Sequence, residues 1–187
     1  MQIDWIVEFS HGQFDLMDAG DVSHSSLTDE QLARRALVNE DLTGITVSSP
    51  RHGRFLRLQI DVTDRRPSMD FGEWDHVDEL CFSTLSGELN IWTTCGDMVY
   101  DTASYAHLRG VFSVDPGIYQ LYVLSANLAS MEMRLCEASK SEAYSDLFYG
   151  RHDDGVPDLE TLMTFDHYRI IMWCLGDKVL KCFSEGS

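Results

Sequence analysis

Hydrophobic residues in this chain recur mostly at every second position. Ile3, Trp5, Val7 and Phe9 alternate with Asp4 and Glu8, the period of a strand with one buried face. His11-Gly12 then marks a turn, and residues 13–18 read as a second short strand burying Phe14 and Leu16. Residues 45–48 and 55–63 read as strands joined through Pro50, Arg51, His52 and Gly53, a turn composition. In the second of these, Leu56, Leu58, Ile60 and Val62 point one way while Arg57, Gln59 and Asp61 point the other. That pattern predicts an antiparallel, half-solvated strand. Residues 77–85 and 88–94 flank Ser86-Gly87 and predict a hairpin, and residues 111–114 and 118–126 flank the stronger turn Asp115-Pro116-Gly117. Met131, Met133 and Leu135 alternate with Glu132 and Arg134, giving another strand. Residues 168–175 form an apolar run long enough for a strand buried on both faces.

One segment departs from period two. Thr28 is a good N-cap, Gln31 completes a capping box, and Leu27 can staple onto Leu32. A short helix is expected over 29–38, burying Leu32, Ala36 and Leu37. Residues 64–72, with Pro67, read as a loop. The pattern thus predicts a mostly β chain: an antiparallel β-sandwich of about nine or ten strands with one short helix near 29–38, as a single domain over 1–187.

Composition sharpens this reading through charge. At 187 residues, 44% hydrophobic and 24% charged, the chain has material for an ordinary core. Its net charge of -17, from 31 acidic and 14 basic residues, is not ordinary. Such a field repels nucleic-acid phosphates and anionic membranes and attracts basic proteins or cations. Neither a nucleic-acid partner nor a membrane is expected. The odd set of five cysteines, with no C-x-x-C pair, points to a reducing compartment. The first ten residues carry Asp4 and Glu8 and no basic residue, unlike a signal peptide. A cytoplasmic location is the expectation.

Motifs that would carry chemistry are missing. No phosphate-cradling glycine loop, nucleophile elbow or H-E-x-x-H occurs in the chain. His76 and Asp78 alternate so that imidazole and carboxylate share a strand face, and Asp166 adjoins His167. Such doublets are common by chance, and a surface or capping histidine is the simpler reading of each. Asp153, Asp154, Gly155 and Asp158 look like a cation loop, but lack the alternating ligands and terminal glutamate of an EF-hand and read as a solvated turn. No catalytic residue, cofactor or metal is assigned, and the chain is not expected to be an enzyme.

The distribution of charge says more. No Lys or Arg falls between residues 67 and 108, where Asp70, Glu73, Asp75, Asp78, Glu79, Glu88, Asp97 and Asp101 lie. The first 33 residues and the segment 142–166 are similarly acidic, whereas Arg51, Arg54, Arg57, Arg65 and Arg66 cluster. Segregated carboxylates on a rigid sheet can steer a basic protein in, and neighbouring Tyr and Trp side chains such as Trp92 are typical interface anchors. The expected partner contacts are Asp70, Glu73, Trp74, Asp75, Asp78, Glu79, Asp97, Tyr100, Asp101 and Tyr105.

Four pieces of the chain carry a resemblance. They are His11-Gly12-Gln13-Phe14 with Asp18, Trp74 followed by Val77 and Glu79, Pro116-Gly117 with Tyr119 and Leu121, and Tyr168 with Trp173. Spread over roughly 9–175, they resemble the bacterial ComJ-like nuclease inhibitors and related β-sandwich proteins. The resemblance implies a sandwich fold and the role of a small cytoplasmic inhibitor that binds and silences a nuclease. It transfers no functional residue. Composition and resemblance together predict an inhibitor or immunity-type protein that neutralises a basic toxin or nuclease through acidic patches. The alternative is a metal-dependent enzyme or small-ligand-binding sandwich, using Asp153, Asp154 and Asp158 or the His76 region.

Overall fold

The computed structural model describes residues 1–8, 13–19, 36–38, 43–48, 55–93, 99–126 and 167–175. Twelve strands lie among them: β1 (Gln2–Glu8), β2 (Gln13–Asp18), β3 (Ala36–Val38), β4 (Gly44–Ser48), β5 (Phe55–Thr63), β6 (His76–Thr84), β7 (Glu88–Thr93), β8 (Val99–Asp101), β9 (His107–Leu108), β10 (Val111–Ser113), β11 (Gly117–Ala126) and β12 (His167–Cys174). The described residues are mostly β and include no helix. They form a seven-stranded sheet, in the order β6-β11-β12-β5-β1-β8-β9, and a five-stranded sheet, in the order β10-β7-β2-β4-β3. Neither closes into a barrel.

The two sheets share one core. Trp5, Val7, Leu56, Leu58, Ile60, Phe82, Leu121, Tyr168, Ile170 and Met172 from the larger sheet meet Phe14, Leu16, Ile45, Val47, Leu89, Ile91 and Phe112 from the smaller. These are the alternate positions that the period-two pattern assigns to a buried face. Two edge-on ring pairs cross the interface, Trp5 with Phe112 at 6.0 Å and Phe14 with Tyr168 at 5.6 Å between centroids. β12 is buried on both faces, as its unbroken apolar run requires: Tyr168, Ile170 and Met172 point into the shared core, and Ile171 and Trp173 into a second cluster on the outer face.

Several expectations are corrected. Of the expected helix at 29–38, residues 36–38 are strand β3, paired antiparallel with β4 (Leu37 opposite Thr46), and 29–35 lie outside the described residues. A capping box marks where a helix can begin and not how far it extends. Val38 is β-branched, and the edge of β4 offers its backbone a ladder. The strand count is twelve among the described residues, because β3, β8 and β9 are too short to show a period; the proposed strand at 131–136 lies outside them. Nor is the pairing wholly antiparallel, since β12 runs parallel to β5, His167 opposite Arg57 and Trp173 opposite Thr63.

The hairpin expected at Ser86-Gly87 is instead a corner. β6 pairs with β11, whereas β7 pairs with β2 and β10 in the other sheet. What fixes the corner is a buried carboxylate rather than a ladder. Asp18 Oδ2 accepts from Thr84 Oγ1, from the Leu85 amide at 2.8 Å and from the Ser86 amide at 3.0 Å. Gly87 completes the corner at φ 72°, where a Cβ would stand 2.5 Å from the Val114 carbonyl oxygen. Only glycine satisfies both conditions.

Candidate functional site

The outer face of the seven-stranded sheet would expose apolar side chains at β11 and β12 if nothing lay over it. Residues 64–75, between β5 and β6, cover it as a strap. Met69, Phe71 and Trp74 pack on Tyr122, Leu124, Ile171 and Trp173. Phe71 meets the Tyr122 ring edge-on at 5.0 Å, and Tyr122 lies 5.0 Å from Trp173. The strap also folds on itself: the Trp74 amide donates to the Phe71 carbonyl (3.0 Å) and the Gly72 amide to Asp70 Oδ1 (2.9 Å). The Asp75 amide ties its far end to the Ser125 carbonyl of β11 at 2.9 Å.

Arg66 fastens the near end. Its Nε donates to Tyr122 Oη at 2.7 Å and its Nη2 reaches Glu79 Oε2 at 3.3 Å. The guanidinium carbon stands 5.4 Å from the Tyr122 ring centroid and 6.0 Å from that of Trp173. The Tyr122 hydrogen bond, followed by the charge of Glu79, raises the Arg66 pKa. The other oxygen of Glu79 accepts from Gln120 Nε2. With its apolar side held down, the strap turns Asp64, Asp70, Glu73 and Asp75 outward as exposed residues.

The predicted contacts therefore divide. Asp70, Glu73, Trp74 and Asp75 lie on the strap, with Glu79 beside it on the edge strand β6, whereas Asp78, opposite Val123 of the shared core, belongs to the other face of that strand. Tyr100 and Asp101 on β8, and Tyr105 in the following turn, stand near the opposite edge of the same sheet. Five strand spacings separate β6 from β8, roughly 24 Å at ~4.8 Å each. Asp97 lies outside the described residues.

Their local duties differ too. Trp74 is half-buried, its ring 5.1 Å from that of His167. Asp78, across from Val123, shares a face with His76 at 3.1 Å, Nε2 to Oδ2, which realises the geometry read from their alternation. Asp101 Oδ1 accepts from the Ala103 amide (3.1 Å), the Ser104 amide (2.7 Å) and Ser104 Oγ (2.7 Å). The Ser104 hydrogen bonds hold its pKa below the usual carboxylate range. The turn so formed presents Tyr105, exposed and at φ 56°, a left-handed conformation uncommon for a residue with a side chain. Trp92 is exposed on the outer face of the five-stranded sheet, away from both groups.

Between the two edges, the outer face carries a polar chain that sequence reading did not single out. Arg57 grips Asp4 with two hydrogen bonds, Nε–Oδ1 at 2.9 Å and Nη2–Oδ2 at 2.5 Å, and Gln59 Nε2 adds a third at 3.2 Å. The Asp4 hydrogen bond is the main cause of a raised Arg57 pKa. His167 Nε2 lies 2.9 Å from Gln59 Oε1, and Arg169 Nε donates to Asp61 Oδ2 at 2.6 Å. Burial, reinforced by the positive charge of Arg57, depresses the His167 pKa to about 4. Arg57, Gln59 and Asp61 were legible as the outer face of β5, but their partners come from β1 and β12. The continuous apolar runs of β11 and β12 were the available signal that a strap must cover this face.

Among the described residues no group of three or more His, Cys, Asp or Glu side chains could hold a metal ion. Asp153, Asp154, Asp158 and Asp166 lie outside the described residues. Cys81 is half-buried and Cys174 exposed. No helix among the described residues is long and apolar enough to cross a membrane.

No family model matches the chain, and no curated protein matches it in sequence. Two solved structures share its fold. One is ComJ from Bacillus subtilis, inhibitor of the DNA-degrading activity of NucA: TM-score 0.56 and 12% identity, over 94% of this chain and 96% of that one. The other is the protein of crocagin biosynthetic gene J: TM-score 0.51 and 17% identity, over 94% of this chain and 97% of that one. The distant resemblance to ComJ-like proteins read from scattered turn and aromatic positions holds at the level of the fold.

Proposed function

We propose that this chain is an inhibitor or immunity-type protein that binds a basic protein, a bacterial toxin or nuclease, chiefly through the strap at 64–75 and the adjoining edge strand β6. The observation that carries this reading is the strap itself. Its aromatic side chains are spent on the sheet, and its carboxylates are held outward at fixed spacing on a chain of net charge -17. Fixed negative groups on a rigid support favour fast, salt-sensitive docking of a cationic surface. The fold shared with ComJ supports an inhibitory role. In this reading Asp70, Glu73 and Asp75 meet the partner, Glu79 and Trp74 hold the strap in place, and the chain acts by covering a site rather than by running a reaction. Tyr100 and Tyr105 join the contact if the partner spans the outer face. A standard footprint of about 800 Å² per side is wide enough to do so.

The test uses purified basic bacterial nucleases, beginning with the product of any toxin-like reading frame adjacent to the gene. DNA degradation is followed with and without the chain, and affinity is measured at several salt concentrations. Inhibition that weakens as salt rises is expected. Glu73→Lys combined with Asp75→Lys should lower affinity on the order of tenfold or more at low salt. Undiminished binding by that double variant would remove the strap from the interface. Absence of binding to every basic protein tried at low salt would remove the inhibitor reading.

A further inference from the structure

We infer that Tyr122, Glu79 and Trp173 form a guanidinium-binding site on the outer face of the seven-stranded sheet, that the chain fills it with its own Arg66, and that this self-occupancy pins the acidic strap. Three contacts of different kinds converge on one side chain. The Tyr122 hydroxyl accepts from Nε at 2.7 Å, the Glu79 carboxylate faces Nη2 at 3.3 Å, and the Trp173 ring lies 6.0 Å from the guanidinium carbon.

The site is built in advance of its occupant. Tyr122 stands on β11 with its ring 5.0 Å from that of Trp173 on the neighbouring strand β12, so residues of the sheet itself aim its hydroxyl. Glu79 is aimed by the hydrogen bond that its other oxygen receives from Gln120. A planar fork with several donors can serve a hydroxyl and a carboxylate at once while lying against an aromatic ring, and a lysine ammonium cannot match that shape. The occupant, in contrast, is surface-bound: the Arg66 side chain is 59% exposed and Glu79 40%. Small solutes can therefore reach the site once Arg66 is shortened. Arg66 precedes the aromatic anchors of the strap, and the hydrogen bond that the Asp75 amide donates to the Ser125 carbonyl closes its far end. Losing the near fastening lets the segment between lift more often, which is read as faster exchange of the Trp74 and Asp75 amides.

The experiment compares the chain with Arg66→Ala by hydrogen exchange, in buffer and with ethylguanidinium or ethylammonium added at about 10–50 mM, the weak range expected of so small a fragment. The Trp74 and Asp75 amides should exchange several-fold faster in Arg66→Ala, and ethylguanidinium but not ethylammonium should restore their protection. Arg66→Lys should exchange like the alanine variant rather than the natural chain, and Glu79→Gln added to Arg66→Ala should abolish the rescue. Unchanged exchange in Arg66→Ala, or equal rescue by both cations, would overturn the inference. No partner enters the experiment, so its outcome is separate from that of the inhibitor reading.

Discussion

Replacing His167 with Gln should flatten one component of the acid sensitivity of this protein. His167 opens β12, with its ring against Trp74 and its Nε2 facing Gln59. Burial is the main cause of its depressed pKa; Arg57 and Arg169 push the same way, and Asp4 opposes them. The ordinary value of 6.5 falls to about 4 in the folded chain. Between those values the unfolded chain takes up a proton that the folded chain refuses, so unfolding is favoured as pH falls. The stability that neutral His167 supplies is complete above pH 6.5, declines through the window and is gone near pH 4. A 2.5-unit gap at about 1.36 kcal/mol per unit gives about 3 kcal/mol in full. About 1 kcal/mol of that should be lost between pH 7 and pH 5.5. The assay is urea unfolding followed by far-UV circular dichroism at pH 7, 6, 5.5 and 5 and constant ionic strength, for the natural chain and for His167→Gln. Carboxylate titration and the easing of like-charge repulsion act on both proteins, so the quantity of interest is the difference between them. That difference should close by about 1 kcal/mol from pH 7 to 5.5, whatever constant offset the lost Trp74 contact leaves. Parallel curves for the two proteins across this window would refute the argument that His167 is held neutral by burial.

Two further substitutions probe the fold around the candidate surface. Asp18→Ala strands the Leu85 and Ser86 amides and the Thr84 hydroxyl at the β6–β7 corner; denaturant titration should show a loss of about 3 kcal/mol, and a loss below about 1 kcal/mol would mean that the corner is held by something else. Tyr105→Gly relieves the left-handed conformation at φ 56° and should raise the melting temperature by about 2–4 °C, where Tyr105→Ala gives no gain; equal melting temperatures for the two variants would show that the turn is unstrained.

Much of the fold was legible because most strands have one face in a shared core. The alternation in β1, β2 and β5 gave their location and their buried residues, and the unbroken run in β12 announced a strand covered on both sides. What could not be read was which strand lies beside which. Ser86-Gly87 and Asp115-Pro116-Gly117 are good turns, but a turn is set by local backbone preference and is indifferent to whether the next strand returns to the same sheet or crosses to the other. Asp18 decides the first case from 66 residues away. The candidate surface was legible by half. A lysine- and arginine-free stretch picked out the strap and β6, yet charge counts cannot distinguish a carboxylate turned to water from one consumed by its own turn, as Asp101 is. Separation in space was equally hidden, because Asp75 and Tyr100 are close in sequence and lie near opposite edges of one sheet.

The place of β12 has a consequence for how the molecule is made. It sits between β11 and β5, paired to both, so the larger sheet stays in two pieces until residues 167–174 have left the ribosome. During synthesis β5 and β11 each await a neighbour, a state prone to pairing with other chains. Assembly must then wait for a contact spanning more than a hundred residues, which predisposes the chain to slow, late completion rather than stepwise growth from its amino end. A nonsense mutation shortly before position 167 would therefore do more than trim an edge: it would remove the piece that joins the two halves.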